Sequence, residues 1–422
     1  MLSLPQSDHI VRVKLLDTTT YLTGIAKVFV DPVVAGHETF NFNDLAFLIE
    51  NERTDKRVMF DLGTRKDYWN LAPAVQRVFG MDSVMTGVKV DKDVAQILVE
   101  GGISLDTIGI LFFQWHCKQN ISRLEANVSI RVADSCIWSH YHYDHCGDMS
   151  PFPPSTSITV GAGFMKAGLL PGYPENPNSP VLTSDFESRE LIEINFESGL
   201  EIGDFKAHDY FGDGSLYLLD SPGHCAGHIS ALARTTPSSA KGGTSFVFLG
   251  GDICHFAGDF RPSSERPLPD LVPEFALARR HAPVPCPCSI IRNHPNADNE
   301  LAGRTTPWYK MAGDFPTAYH DIHEARASVS KMQALDQNDD ILVCLAHDAV
   351  LLDVMPIFNE DPKKDINGWR ESGLKEKCHW GWLSEVPING EPAQTPLVKG
   401  FWRDGKPWDY MSFKKTLTIP PL

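Results

Sequence analysis

Ser139-His140-Tyr141-His142-Tyr143-Asp144-His145, directly after the apolar pair Ile137-Trp138, decides the reading of this chain. Three imidazoles and a carboxylate crowd into residues 140–145, a density that packing alone does not require. In an extended segment, residues two apart project to one side of the backbone, so His140 and His142 share a face. Asp144 and His145 follow where the chain turns and face a second point close by. Neutral imidazole and carboxylate are ligands that Zn²⁺ accepts, and a catalytic zinc held by three of them keeps a position for water. The bland alternative is a surface histidine cluster on a loop, and the rest of the chain argues against it.

Three later stretches supply what two metals would still lack. Asp220-Ser221-Pro222-Gly223-His224-Cys225-Ala226-Gly227-His228 follows a strand-like run and places His224 in a Pro-Gly turn. Phe248-Leu249-Gly250-Gly251-Asp252 ends an apolar strand with an acid, and Leu342-Val343-Cys344-Leu345-Ala346-His347-Asp348 ends another with a histidine. Loops held by a rigid scaffold tend to carry function, so an ionisable residue just past a buried strand is a site candidate. Singly, each could be a loop histidine or a helix-capping aspartate. Together, and in this order, they are specific.

The sequence here resembles the metallo-β-lactamase superfamily, whose metal motif runs H-x-H-x-D-H, then His, Asp and His in chain order. All seven positions are matched, and the resemblance spans residues 40–352. It implies that His140, His142 and His224 hold one zinc, that Asp144, His145 and His347 hold the other, and that Asp252 bridges them. Asp61, in Phe60-Asp61-Leu62-Gly63, matches the family's early strand-end aspartate, which orients the site. The implied fold is an α/β αββα sandwich of two mixed sheets flanked by helices, with the metals at one edge. Within the superfamily the pattern is most similar to the hydrolytic two-zinc branches, in particular the N-acyl-homoserine-lactone lactonase-like enzymes and relatives that open lactones or lactams.

Two zinc ions sharing a water would bring its pKa from about 16 towards neutrality and polarise a carbonyl. Asp144 and Asp252 would then hold or accept the proton of the attacking water. Lactonases of this kind carry a tyrosine three residues after the bridging aspartate, where this chain has His255. His255 either takes over the donor role or is a loop residue. His228 and His208 read as structural or solvated.

The expected function is therefore zinc-dependent opening of a small cyclic ester or amide (lactone, lactam or cyclic carbamate) in detoxification or secondary metabolism. A thioesterase acting on glutathione or carrier-protein thioesters is the first alternative. It would want basic residues at the rim, for which Arg279-Arg280 and Lys363-Lys364 are the candidates. An iron-dependent oxidoreductase of the same fold is the second, and a non-catalytic metal-binding module a further one. Substrate specificity is expected from residues 257–320 and from aromatic residues such as Tyr141, Phe256 and Trp308.

Composition agrees with an ordinary globular protein: 422 residues, 42% hydrophobic, 54 acidic against 38 basic side chains and a formal net charge of −16. That charge disfavours nucleic acid and anionic membranes as partners, and a small molecule remains. No run approaches the ~18 apolar residues of a membrane span. Asp8 and His9 stand where a secretory leader would be apolar, and the nine irregularly spaced cysteines suggest no disulfide framework, so a cytoplasmic location is expected. Cys286 and Cys288 form a lone C-P-C that lacks the second pair a zinc knuckle would need.

Elsewhere, residues 43–50 and 57–61 read as a hairpin, and 157–160, 215–219, 245–249 and 340–345 as strands. Residues 91–101 and 322–335 read as helices, the second burying Ala325, Val329 and Met332. A single domain over residues 1–422 is expected, with a lid-like insertion at 257–320 and a wrapping tail at 356–422 holding Trp369, Trp380, Trp382, Trp402 and Trp408. Residues 111–136 interrupt what should be one strand running from Gly109-Ile110 into Ile137. The favoured reading is a translated, retained intron, in which case His116 and Cys117 have no role, and the other is a loop insertion.

Overall fold

The structure is a computed structural model that describes residues 4–105, 135–277, 286–287, 294–296, 298–388 and 390–419. Its strands alternate sides along their length, and the two sides bury different partners. Val11, Val13 and Leu15, with Leu45, Phe47, Ile49, Val58, Phe60 and Ile137, pack against Leu216, Leu218, Ile229, Ala231, Val247, Leu249 and Leu342 of a second sheet. The residues between them point the other way. Leu16, Leu48, Met59, Trp138 and Ile158 bury against Val94, Ile97 and Leu98 of the helix Val94–Glu100. On the far side of the second sheet, Leu219, Leu232, Phe246, Phe248 and Val343 cover Ala325, Val329 and Met332 of the helix Ile322–Asp336. Four layers result, helix, sheet, sheet, helix, because each strand is apolar on both faces.

Among the described residues the first sheet has nine strands, in the order Lys406–Trp408, Gly400–Arg403, Met85–Val90, Val11–Ile25, Thr39–Asn51, Lys56–Phe60, Ser135–Ile137, Ser157–Val160 and Leu191–Glu193. The second has six, in the order Ile341–Cys344, Ser245–Leu249, Ile229–Thr236, Leu216–Asp220, Phe205–Asp209 and Glu201–Ile202. Lys56–Phe60, Ser135–Ile137 and Ser157–Val160 run parallel, as do Ser245–Leu249 and Ile341–Cys344. Parallel neighbours end at the same edge, so whatever follows each of them is gathered there.

The expected hairpin, strands and helices are found within a few residues of their expected bounds. The longest strand, Val11–Ile25, was not read from the sequence. Its pairing with Thr39–Asn51 slips between Asp17 and Tyr21, which breaks the two-residue period that marks a strand. The tail does more than wrap. Gly400–Arg403 pairs in parallel with Met85–Val90 and extends the first sheet, while Trp369, Trp380 and Trp382 are buried. Ser135 and Cys136 belong to the strand Ser135–Ile137, and residues 111–134 of the expected interruption lie outside the described residues. Gly109, Ile110, Trp115, His116, Cys117, Arg279, Arg280 and Cys288 lie outside the described residues. The seven described cysteines are free and buried. Among the described residues no helix is long and apolar enough to cross a membrane.

Gly223 shows how tightly the edge is assembled. Its φ is +123°, and a Cβ there would stand 2.0 Å from the backbone nitrogen of Ala325 in the helix Ile322–Asp336. Gly223→Ala must therefore push the loop carrying His224 off that helix. A stability loss of about 3 kcal/mol or more is expected, read as a lowered urea midpoint.

Candidate active site

Each candidate residue follows a strand at the shared edge. Asp61 ends Lys56–Phe60, residues 140–145 follow Ser135–Ile137, and His224 follows Leu216–Asp220. Asp252 follows Ser245–Leu249 and His347 follows Ile341–Cys344. All seven expected ligand residues converge, and they form two clusters.

In the first cluster, His224 Nε2 lies 3.1 Å from His140 Nε2 and 2.9 Å from His142 Nδ1. Tetrahedral zinc with Zn–N near 2.0–2.1 Å sets its nitrogens about 3.3 Å apart, close to this spacing. Burial holds His140 and His224 well below the usual imidazole range and His142 down at about 3. Neutral rings at this spacing can each offer a lone pair to a cation held between them. In the second cluster, His145 Nε2 stands 4.0 Å from Asp144 Oδ1, and His347 Nε2 3.9 Å from Asp144 Oδ2. Burial lifts the Asp144 carboxyl to about 7.

Asp252 stands between the clusters. Its Oδ2 is 3.6 Å from His224 Nε2 and 3.8 Å from His140 Nε2, while its Oδ1 is 3.1 Å from His347 Nε2 and 3.2 Å from His145 Nε2. Asp252 Oδ1 and His145 Nε2 are nonetheless buried without an aligned hydrogen bond. Buried polar atoms are normally paired, so groups left without aligned partners here fit the donor set of a metal centre. The same residues make up compact groups able to hold a metal ion.

Three relatives place this geometry. Gamma-lactamase FDB1 of Fusarium pseudograminearum is 36% identical over 92% of this chain and 86% of its own length. Metallo-hydrolase mfmC of Annulohypoxylon moriforme is 37% identical over 90% of this chain and 88% of its own. N-acyl homoserine lactonase AttM of Rhizobium johnstonii matches only 24% of this chain and 36% of its own length, at 35% identity. The chain belongs to the metallo-β-lactamase superfamily. It is a metal-dependent hydrolase, although no family model matches it.

The candidate ligand residues are held here by partners that the sequence reading largely missed. Asp61, identified by resemblance, has a left-handed φ of +61°. Its Oδ1 accepts the Ser139 amide at 2.7 Å, and its Oδ2 accepts the Ser139 hydroxyl at 2.8 Å. That hydroxyl can in turn accept His140 Nδ1–H at 3.0 Å, and Asp61 Oδ2 accepts His145 Nδ1–H at 2.9 Å. One carboxylate thus directs Nε2 of two histidines inward, and its contacts offset the backbone strain. Asp44 Oδ1 stands 3.3 Å from His347 Nδ1, close enough for its charge to act on that ring although the two atoms make no aligned hydrogen bond. The signal for Asp44 was an acid in the middle of an apolar strand. His228, expected to be structural or solvated, is structural: its Nε2 accepts the Asp252 amide at 3.0 Å. His208 lies half-buried in the strand Phe205–Asp209, away from both clusters.

His255 is not a remote loop residue. Its Nε2 lies 3.1 Å from Asp252 Oδ2, and its ring packs 4.7 Å from that of Phe29. A cavity of about 380 Å³ opens over the clusters, walled by Phe29, Phe42, Val75, Val78 and Met85 and floored by Asp144, Asp252 and His255. Tyr141 lines it as expected. Phe256 and Trp308 do not: both turn into the core and pack on Trp382, at 6.0 and 6.2 Å between ring centroids. Within 257–320, only the stretch 317–320 reaches the cavity among the described residues.

Asp61→Asn should weaken divalent-metal affinity by ~10–100-fold, because two ligand histidines lose the anion that orients them. Competition against a zinc chelator measures the change.

Proposed function

We propose that this chain uses two zinc ions to hydrolyse a small cyclic ester or amide, a lactone, lactam or cyclic carbamate. His140, His142 and His224 hold one ion, Asp144, His145 and His347 the other, and Asp252 is shared. The observation that carries this reading is the Asp252 carboxylate, with one oxygen turned to each cluster. When bound, such a pair supplies water that ionises near neutral pH and a Lewis acid for the carbonyl.

The protein's own groups do the rest. Asp144 and Asp252 hold or accept the proton of the attacking water. His255, beside Asp252 on the cavity floor, directs Nε2–H at the substrate carbonyl or its leaving atom. The apolar wall of Phe29, Phe42, Val75 and Val78 excludes bulk water and accepts an uncharged ring. The name gamma-lactamase, borne by a relative at 36% identity, supports a lactam. A glutathione thioester finds little support, since no lysine or arginine lines the cavity among the described residues.

A hydrolysis screen of the zinc-loaded protein against γ-lactams, γ-lactones, cyclic carbamates and thioesters tests this. Ring opening of at least one cyclic substrate is expected, with loss of ~100-fold or more in His142→Ala and Asp252→Ala. Turnover that survives either change, or thioesters as the sole substrates, would count against the reading. Metal analysis should find two zinc per chain, and chelation should remove the activity. Full turnover with one equivalent would refute the paired site.

A further inference from the structure

We propose that Tyr319 is a positioning residue that fixes the tautomer and aim of His255, so that His255 presents Nε2–H to Asp252 and the cavity. The catalytic consequence rests on the hydrolase reading above, whereas the tautomer itself does not. His255 Nε2 lies 3.1 Å from Asp252 Oδ2, and its Nδ1 lies 3.0 Å from the Tyr319 hydroxyl. A carboxylate oxygen only accepts, so Nε2 carries the hydrogen. A neutral imidazole has a single N–H, so Nδ1 accepts and the Tyr319 hydroxyl donates.

Tyr319 is not there merely to fill space. Its backbone amide meets Thr317 Oγ1 at 3.2 Å, and the next two amides, of His320 and Asp321, donate to His224 O and Gly223 O, both at 2.9 Å. The segment carrying the phenol is thus tied to the loop that carries His224. The ring stands 5.4 Å from that of His255 and 5.9 Å from that of His224. His255 Nε2 also lies among atoms close enough to join His224 and Asp252 on a cation. With Nε2 protonated, His255 is a donor instead of a ligand. When a bound ion draws on Asp252 Oδ2, that carboxylate becomes a weaker acceptor, and the Tyr319 hydroxyl is what keeps the hydrogen on Nε2.

The test pairs ring ¹⁵N NMR of the zinc-loaded protein with kinetics on whichever cyclic substrate the screen finds. In the unmodified protein His255 should show a protonated Nε2 and a bare Nδ1. Tyr319→Phe should shift the Nδ1 resonance and lower kcat by ~10–100-fold with KM little changed and zinc content intact. In a His255→Gln background the same change should have no further effect. A protonated Nδ1 in the unmodified protein, His255 resonances unmoved by Tyr319→Phe, or equal losses in both backgrounds would each overturn the proposal. If no cyclic substrate is opened, the hydrolase reading fails, and the ring spectra still decide the tautomer.

Discussion

One carboxylate, that of Asp252, faces two clusters of His and Asp side chains at once, and the edge of the fold is arranged around it. Asp252 does so because it leaves the strand Ser245–Leu249 at a glycine pair, Gly250-Gly251, and because His228 receives its amide. His347 arrives beside it through a parallel strand pairing, which brings two strand ends to the same height. Across the cleft, the parallel pairing of Lys56–Phe60 with Ser135–Ile137 does the same for Asp61 and the histidine string. The two sheets are held together by an apolar layer that runs up to this edge, so the ionisable groups sit on a rigid floor.

Burial is the second constraint. Six of the seven candidate ligand side chains are buried, with His142 half-buried, and ionisable groups in that condition are costly unless something compensates them. The partners behind the ligands supply part of that compensation: Asp61 and Ser139 behind His145 and His140, Asp44 behind His347. Asp61 and Ser139 hydrogen-bond the outer nitrogens of their rings and leave the inner ones for the site, whereas Asp44 faces His347 Nδ1 as a charge without an aligned hydrogen bond, and His224 Nδ1 is likewise buried without a hydrogen-bond partner.

Two segments beyond the ligand-bearing strands also shape the cavity. The stretch 257–320 delivers Tyr319 to the floor of the cavity and buries Trp308 elsewhere. The C-terminal part secures the opposite wall. The Tyr410 hydroxyl donates to Gln76, next to Val75, and Lys414 Nζ to the carbonyl of Phe79, next to Val78. A cavity wall far from the C-terminus in sequence therefore depends on it for support.

The convergent His and Asp residues and the main strands and helices were legible because their signals are local: a dense His-Asp string, acids and histidines just past apolar runs, and regular periods of two or 3.6. The strand Val11–Ile25 escaped because its slip at Asp17 changes which face each residue takes. What sequence alone determined is which side chains could bind a metal. Which of them share a point, which acids stand behind them and which phenol reaches His255 were decided only by tertiary structure. Those pairings join residues 44 with 347, 61 with 145, and 255 with 319. Contacts across such separations leave no periodic trace along the chain, because the sheet ends create them.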